Sequence, residues 1–373
     1  MTTYRICNRC VMDTSAPDIS FDKDGNCNFC TDFLRKYSTH YTPDNNRLYR
    51  LIEKIQRAGK GKPYDCIVGV SGGIDSSYVL YLAKQYGLRP LASHMDNGWD
   101  TELATNNIAN LVRKLNVDLF TYVIDWEEYR DLMNAFFKAN VVDIEMLYDN
   151  AMNEVNYRQA RKLGIKYLLS GNNIATEGMQ MPQGWNYLKV DGKNIRAIHK
   201  QFGTQKMKTF PLITVSKFIF TEFILQTKKT PILNYVNFKK EEALNLLIRK
   251  FDYKPYPYKH YESVFTRFYQ GYILPKKFGI DKRKLHLSNL VVTNQMTRNE
   301  ALEILKQSPY PSPKDLEDDI EYFLKKMHWK KEELEAYIKH PPIPHTAYKN
   351  DFTVYKTLLT YYKKLFTNKI QVQ

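Results

Sequence analysis

The stretch Val68-Gly69-Val70-Ser71-Gly72-Gly73-Ile74-Asp75-Ser76-Ser77 carries an apolar run into two adjacent glycines, three hydroxyls and a carboxylate. Three readings fit it. Gly69-Val70-Ser71-Gly72-Gly73 satisfies G-x-S-x-G, the elbow that presents a nucleophilic serine. The same residues suit a phosphate cradle: glycines without Cβ let backbone N–H groups close on an anion, and the helix that follows offers its positive end. The third is an ordinary strand-to-helix turn capped by Asp75 and Ser76.

A second constellation lies at the start of the chain, where Cys7-x2-Cys10 is followed after sixteen residues by Cys27-x2-Cys30. This is zinc-ribbon spacing. Each pair turns two thiolates to one side of a tight knuckle, and two knuckles complete a tetrahedral S4 site with no open position, so the metal is structural. Thiolates alone also suit an iron–sulfur cluster. Disulfides fit poorly with a chain expected in the cytoplasm. The fifth cysteine, Cys66, sits in the apolar run "DCIVGV" and reads as a small buried hydrophobe.

The elements that must position these residues follow from periodicity. After a polar, helix-compatible connector (42–60), strand-like runs "DCIVGV", "RPLASHM", "DLFTYVI" and "IKYLLSGNN" alternate with helical patterns from Asp75, Thr101, Trp126 and Asn150. Such alternation predicts an α/β fold: a doubly wound, Rossmann-like parallel sheet. Ligands of these sheets lie beyond the carboxyl ends of the strands, which brings 71–76, 94–99 and 170–177 to one crevice. From about Thr214 the pattern is helical and broken by proline groups. The expected division is a zinc ribbon over 1–41, the sheet domain over 42–213 and a mainly helical substrate or partner domain over 214–373.

With 373 residues, 43% hydrophobic and 25% charged, the chain has the composition of a folded protein with room for two cores. No run approaches the ~18 apolar residues of a membrane helix, and "MTTYRICNRC" lacks the apolar core of a signal peptide, hence the expected cytoplasmic location. The net charge of +15 is uneven: residues 201–290 hold 17 basic and 6 acidic side chains. Such an excess suits an anionic ligand, whether nucleotide or nucleic acid, or simply a solvated lysine-rich face.

Position decides against the serine elbow. An α/β-hydrolase needs several strands before its nucleophile, and only one strand precedes Ser71. No G-x-x-x-x-G-K-[ST] sequence occurs either. Ser71-Gly72-Gly73-x-Asp75-Ser76 after a first strand resembles the PP-loop of the N-type ATP pyrophosphatases. The ribbon with "CVMDTS", then "SGGIDSSYVLY", "HMDNGWD", "GNNIATEGM", "KHYESVFTRFYQGYILPKKFGIDKRKLHLSNL" and "NQMTRNEAL" together resemble the N-acetyl sugar amidotransferase family, over nearly the whole chain to Leu305. Asn294 stands where members often carry glycine.

The resemblance implies an ATP-dependent amidotransferase of lipopolysaccharide or flagellar sugar synthesis that converts the acetamido group of a nucleotide-linked N-acetyl sugar to acetamidino, releasing AMP and pyrophosphate. It implies that Ser71, Gly72, Gly73, Asp75 and Ser76 cradle pyrophosphate, with Mg²⁺ shared between phosphates and Asp75. His94 and Asp96 would line the adenosine side, Gly171 and Asn172 would close the crevice, and Glu177 would meet metal or amine. Lys259, His260, Arg267 and Arg283 are expected on phosphates of ATP or of the sugar nucleotide, with Lys259 and Arg267 acting in catalysis and His260 and Arg283 in substrate binding.

No cysteine is placed as a glutaminase nucleophile, so ammonia is expected from a separate subunit; the resemblance implies one similar to the glutaminase of histidine biosynthesis, with a cyclase-like companion. Two rivals compete. A tRNA-thiolating PP-loop enzyme would need catalytic thiols beyond the ribbon, and only Cys66 remains. A zinc-ribbon nucleic-acid-binding protein would leave the PP-loop unexplained.

Overall fold

The run Cys66–Gly69 forms β1, and four further segments complete one parallel sheet with it: β2 (Pro90–Asp96), β3 (Leu119–Val123), β4 (Tyr167–Leu169) and β5 (Lys228–Thr230). The computed structural model describes residues 3–40, 43–257 and 261–366. Strand order is β3-β2-β1-β4-β5, every neighbouring pair parallel. The order reverses beside β1, so the crevice between the ends of β1 and β4 is the place where such a sheet binds ligands.

Alternation along β1 explains its unbroken apolar sequence. Cys66 and Val68 pack with α2 (Asn45–Gly59), α3 (Ile74–Gln85) and α4 (Glu102–Leu115), whereas Ile67 packs on the other face against Tyr157 and Ala160 of α6 (Met146–Leu163). A strand covered on both faces has no solvent-facing positions to make polar. Two of the connecting helices begin where the sequence supplies acceptors: Thr101 caps α4, and Asp125 caps α5 (Trp126–Lys138), each taking a backbone N–H on its side-chain oxygen. α1 (Asn28–His40) runs on from the second cysteine knuckle.

The sheet does not stop at residue 213. β5 pairs Lys228 with Tyr167 and Thr230 with Leu169, so its edge comes from the segment expected to be helical. Lys-Lys-Thr is three residues with no apolar alternation, and its identity as a strand comes only from its partner. Beyond it the chain is helical, through α7 (Lys240–Phe251), α8 (Arg283–Val292), α9 (Arg298–Lys306) and α10 (Pro313–Met327). Tyr269–Phe278 is a wider π-type turn with Pro275 inside it, where an ordinary helix would lack an N–H donor. Among the described residues no helix is long and apolar enough to cross a membrane.

The N-terminal ribbon seats on α8 and α9. Arg298 donates to the carbonyl oxygens of Cys7 (2.9 Å) and Cys10 (3.1 Å), the Val11 N–H donates to Ser288 Oγ at 3.1 Å, and Lys284 pairs with Asp13. Metal knuckle and C-terminal helices form one packed unit. That matters because α8 also lines the crevice.

Candidate active site and metal centre

β1 delivers the chain into a loop whose geometry only glycine permits. Gly72 has φ +80°, and a Cβ there would lie 2.9 Å from the Ala104 carbonyl oxygen. Its own carbonyl accepts from the hydroxyls of Tyr253 (2.9 Å) and Tyr256 (3.2 Å). Ser71 and Ser76 face each other, Oγ to Oγ at 3.3 Å, and Gly73 precedes α3 with no side chain capping the helix, leaving first-turn N–H groups toward the crevice. Across from them, Gly171 follows β4 so closely that a Cβ would lie 3.0 Å from the Ser76 nitrogen.

A cavity of about 630 Å³ opens on this loop, and its walls include Ser71, Gly73, Asp75, Ser76, Gly171, Asn172 and Glu177. Seven of the residues read from sequence thus converge. A second cavity of about 530 Å³ adjoins it, with Ser71, Asn172, Glu177 and Glu262 in both walls. Charged side chains pair along the second cavity. Lys282 pairs with Glu145 at 2.8 Å, and Lys189 bridges Asp143 (2.8 Å) and Asp149 (2.9 Å). Burial pushes the Glu145 and Asp143 carboxyls up, but the lysines outweigh it and hold both below the ordinary carboxylate range. Lys189 is held correspondingly above the ordinary amine, burial being overcome by Asp143 and Asp149.

Other expected site residues stand differently. Arg267 and Arg283 reach the first cavity, but each guanidinium already grips a carboxylate: Arg267 Nε meets Asp319 at 2.6 Å, and Arg283 binds Asp281 through Nε and Nη2 at 3.0 and 2.8 Å. They are first of all ion pairs that shape the wall. His94 and Asp96 line neither cavity. Strand parity is the reason: Ser93 and Met95 face the first cavity, and the residues alternating with them face the opposite side of β2. His94 instead binds the Val70 carbonyl and Asp100, and Asp96 accepts from the Gly98 N–H at 2.7 Å. Lys259 and His260 lie outside the described residues.

Several wall residues escaped the sequence reading. Glu262, Gln270, Lys282 and His286 line both cavities. Only the α-helical spacing of Lys282 and His286 hinted that they share a face. Lys229 of β5 reaches the first cavity and donates to Asn153; burial lowers its amine below the ordinary range, against the opposing pull of Glu222.

The four ribbon cysteines gather all their sulfurs within 4.8 Å of one another. Sγ of Cys7 lies 3.7 Å from that of Cys30, and Cys10 3.6 Å from Cys27, far beyond a disulfide. Those spacings match the edge of a tetrahedron with ~2.3 Å zinc–sulfur arms, about 3.8 Å. Backbone N–H groups of Arg9, Cys10 and Cys27 point at Cys7 Sγ, at 3.4, 3.4 and 3.1 Å, as a thiolate requires. The residues fit zinc held by Cys7, Cys10, Cys27 and Cys30.

Residues 262–362 match the family model of the C-terminal domain of WbpG-like LPS biosynthesis proteins. Among solved structures, the chain is similar to an NH3-dependent NAD synthetase from Campylobacter jejuni, at 19% identity over 42% of this chain and 73% of that one, with a TM-score of 0.29. It is also similar to NMN synthetase from Francisella tularensis, at 14% identity over 74% and 96%, with a TM-score of 0.33. No curated protein matches the chain.

Proposed function

Starting from a chain that is WbpG-like by its C-terminal domain and that carries a PP-loop on a parallel sheet, we propose that it is an ATP-dependent amidotransferase acting on a nucleotide-linked N-acetyl sugar. The observation that carries the reading is the pair of cavities meeting at Ser71, Asn172, Glu177 and Glu262. One holds ATP with its β- and γ-phosphates on the loop. The other presents the acetamido group to the α-phosphorus across the shared wall.

An amide is a poor electrophile with a poor leaving group. Attack of its oxygen on the α-phosphorus releases pyrophosphate and gives an O-adenyl imidate; ammonia then adds to the carbon, AMP departs, and loss of a proton leaves an acetamidino group. No protein nucleophile takes part. The chain positions reactants and stabilises charge: amides at the start of α3 and the hydroxyls of Ser71 and Ser76 meet the charge that builds on the departing pyrophosphate. Mg²⁺, for which Asp75, Glu177 and Glu262 are carboxylates of the cavity wall, would neutralise phosphate oxygens. The ammonia comes from a separate glutaminase subunit.

The thiolation alternative needs a reactive cysteine near the loop. The four ribbon thiols form one cluster, and Cys66 is fully buried with its thiol pushed up by burial and by Asp65. The test is mass spectrometry of a panel of sugar nucleotides incubated with the protein, ATP, Mg²⁺ and ammonium. A product lighter by about one mass unit, formed one-for-one with AMP, is expected for exchange of O for NH. AMP formation on tRNA and on none of the sugars would overturn the reading.

A further inference from the structure

Two acceptors face the two ring nitrogens of His94, which is 8% exposed. Nδ1 lies 2.9 Å from the Val70 carbonyl oxygen, and Nε2 lies 3.0 Å from Asp100 Oδ2. A carbonyl oxygen and an ionised carboxylate only accept, so both contacts are hydrogen bonds only when both ring nitrogens carry hydrogen. We infer that His94 is held as an imidazolium and is a positioning residue, tying the backbone at the entrance of the phosphate loop to Asp100 on the wall of the second cavity.

Three parts of the protein meet through this ring. Val70 is the residue before Ser71, so its carbonyl fixes the direction in which the chain enters the loop. Asp100 lines the second cavity and forms an antiparallel bridge with Ser263. On either side of that bridge the Thr101 N–H donates to the Glu262 carbonyl and the Val264 N–H to the Trp99 carbonyl, each at 2.9 Å. Glu262 returns to the loop, its Oε1 lying 3.5 Å from where a Cβ on Gly73 would sit. The imidazolium therefore sets the loop entrance and the segment that closes over it from one point.

Burial disfavours the charged ring, but Asp100, the Val70 carbonyl and Asp96 outweigh it and raise the pKa above that of an ordinary imidazole. The proton is thus kept to higher pH than on an ordinary imidazole and is lost as pH rises through the raised value. Its loss leaves one of the two acceptors, the buried Val70 carbonyl or the part-buried Asp100, without this donor.

The inference concerns the loop that the proposed function assigns to pyrophosphate, and the first measurement does not depend on that assignment. In the full chain labelled with ¹⁵N-histidine, one ring is expected to be doubly protonated at pH 7.5, to disappear in His94→Gln and to titrate at lower pH in Asp100→Asn. A neutral His94 ring in the wild type overturns the inference. The second measurement is calorimetric affinity for Mg²⁺-pyrophosphate from pH 6 to 9.5. Wild-type binding is expected to weaken roughly tenfold as His94 deprotonates, and Asp100→Asn to shift that weakening to lower pH. The ligand's own titration is common to both proteins and cancels. Identical profiles would remove the positioning role. No pyrophosphate binding at any pH, with the imidazolium present, would instead reject the assignment of the loop.

Discussion

The Tyr253 hydroxyl donates to the Gly72 carbonyl at 2.9 Å, and so couples the far end of α7 to the one loop residue whose backbone no other amino acid tolerates. Tyr256, held in turn by Asn107, makes a second bond to the same oxygen. The two hydroxyls hold the peptide so that its neighbours' N–H groups face the crevice. Each neutral bond of this kind is worth about 1 kcal/mol. Tyr253→Phe is therefore expected to weaken ATP binding by about fivefold, and Tyr253→Phe with Tyr256→Phe further, with little change in melting temperature. Unchanged affinity in the double variant would mean that the loop holds itself.

Gly72→Ala meets two penalties at once, a positive φ and a Cβ 2.9 Å from backbone. Gly61 supplies the comparison, since it has φ +76° with nothing within 4 Å of its Cβ position. Gly61→Ala is expected to cost about 1 kcal/mol from the backbone alone, and Gly72→Ala at least twice that, together with ATP binding. Equal losses of stability in thermal unfolding would show that Ala104 moves aside.

Arg298 joins the cysteine centre to the helices behind the active site by donating to the Cys7 and Cys10 carbonyls. One zinc per chain is expected from metal analysis, with Cys27→Ser losing metal and soluble yield together because binding supplies on the order of 10 kcal/mol. Arg298→Ala is expected to keep zinc but release it faster to a chelator, and to open α8 and α9 to protease. A chain that is stable and active without metal would contradict the structural role.

The central strands and several helices of the sheet were legible because they carry their own signal: a short apolar run buried on both faces in β1 and β2, or an amphipathic run with a capping residue such as Asp125 in α5. The loop was legible as a glycine turn between strand and helix, because Ser71-Gly72-Gly73 follows the first apolar run directly. β5 was not, because three polar residues become a strand only beside β4. Arg267 shows a different limit: its charge is visible in the sequence, but its partner Asp319 lies 52 residues away and only the fold brings them together. His94 shows a third, in which a strand was correctly placed and the facing of its residues was not. The neighbouring Ser93 faces the crevice.

His345 is the opposite of His94. Its Nδ1–H donates to Asn194 Oδ1 at 2.8 Å and its Nε2 accepts from the Asp143 N–H at 3.3 Å, so the neutral ring satisfies both neighbours. Burial lowers its pKa to about 4. The unfolded chain takes up the proton near pH ~6.5 and the folded chain does not, so stability present at neutral pH is lost as pH falls from there towards 4. The full effect is about 3 kcal/mol. Comparing urea midpoints at pH 7.5 and 4.5, His345→Gln is expected to lower stability at pH 7.5 and flatten its fall with acid. An acid slope equal to the wild type over this range would assign the fall to groups other than His345.

The proposed separate source of nitrogen is consistent with where the thiols lie. Glutamine hydrolysis through a thioester needs an accessible, activated cysteine. Four of the five thiols converge at the ribbon, and Cys66 is wholly buried in β1, with Asp65 beside it opposing ionisation further. Burial of that kind removes both access and nucleophile. Purified protein is therefore expected to form product with added ammonium and not with glutamine, and to gain glutamine-dependent turnover once a glutaminase subunit is supplied. Ammonia is mostly ammonium at neutral pH, so a partner delivering NH3 directly should also raise the rate above that with an equal concentration of free ammonium. Glutamine-dependent product from the isolated chain, with contaminating glutaminase excluded and Cys66→Ala equally active, would place the hydrolytic chemistry on a residue other than a cysteine and overturn this assignment of roles.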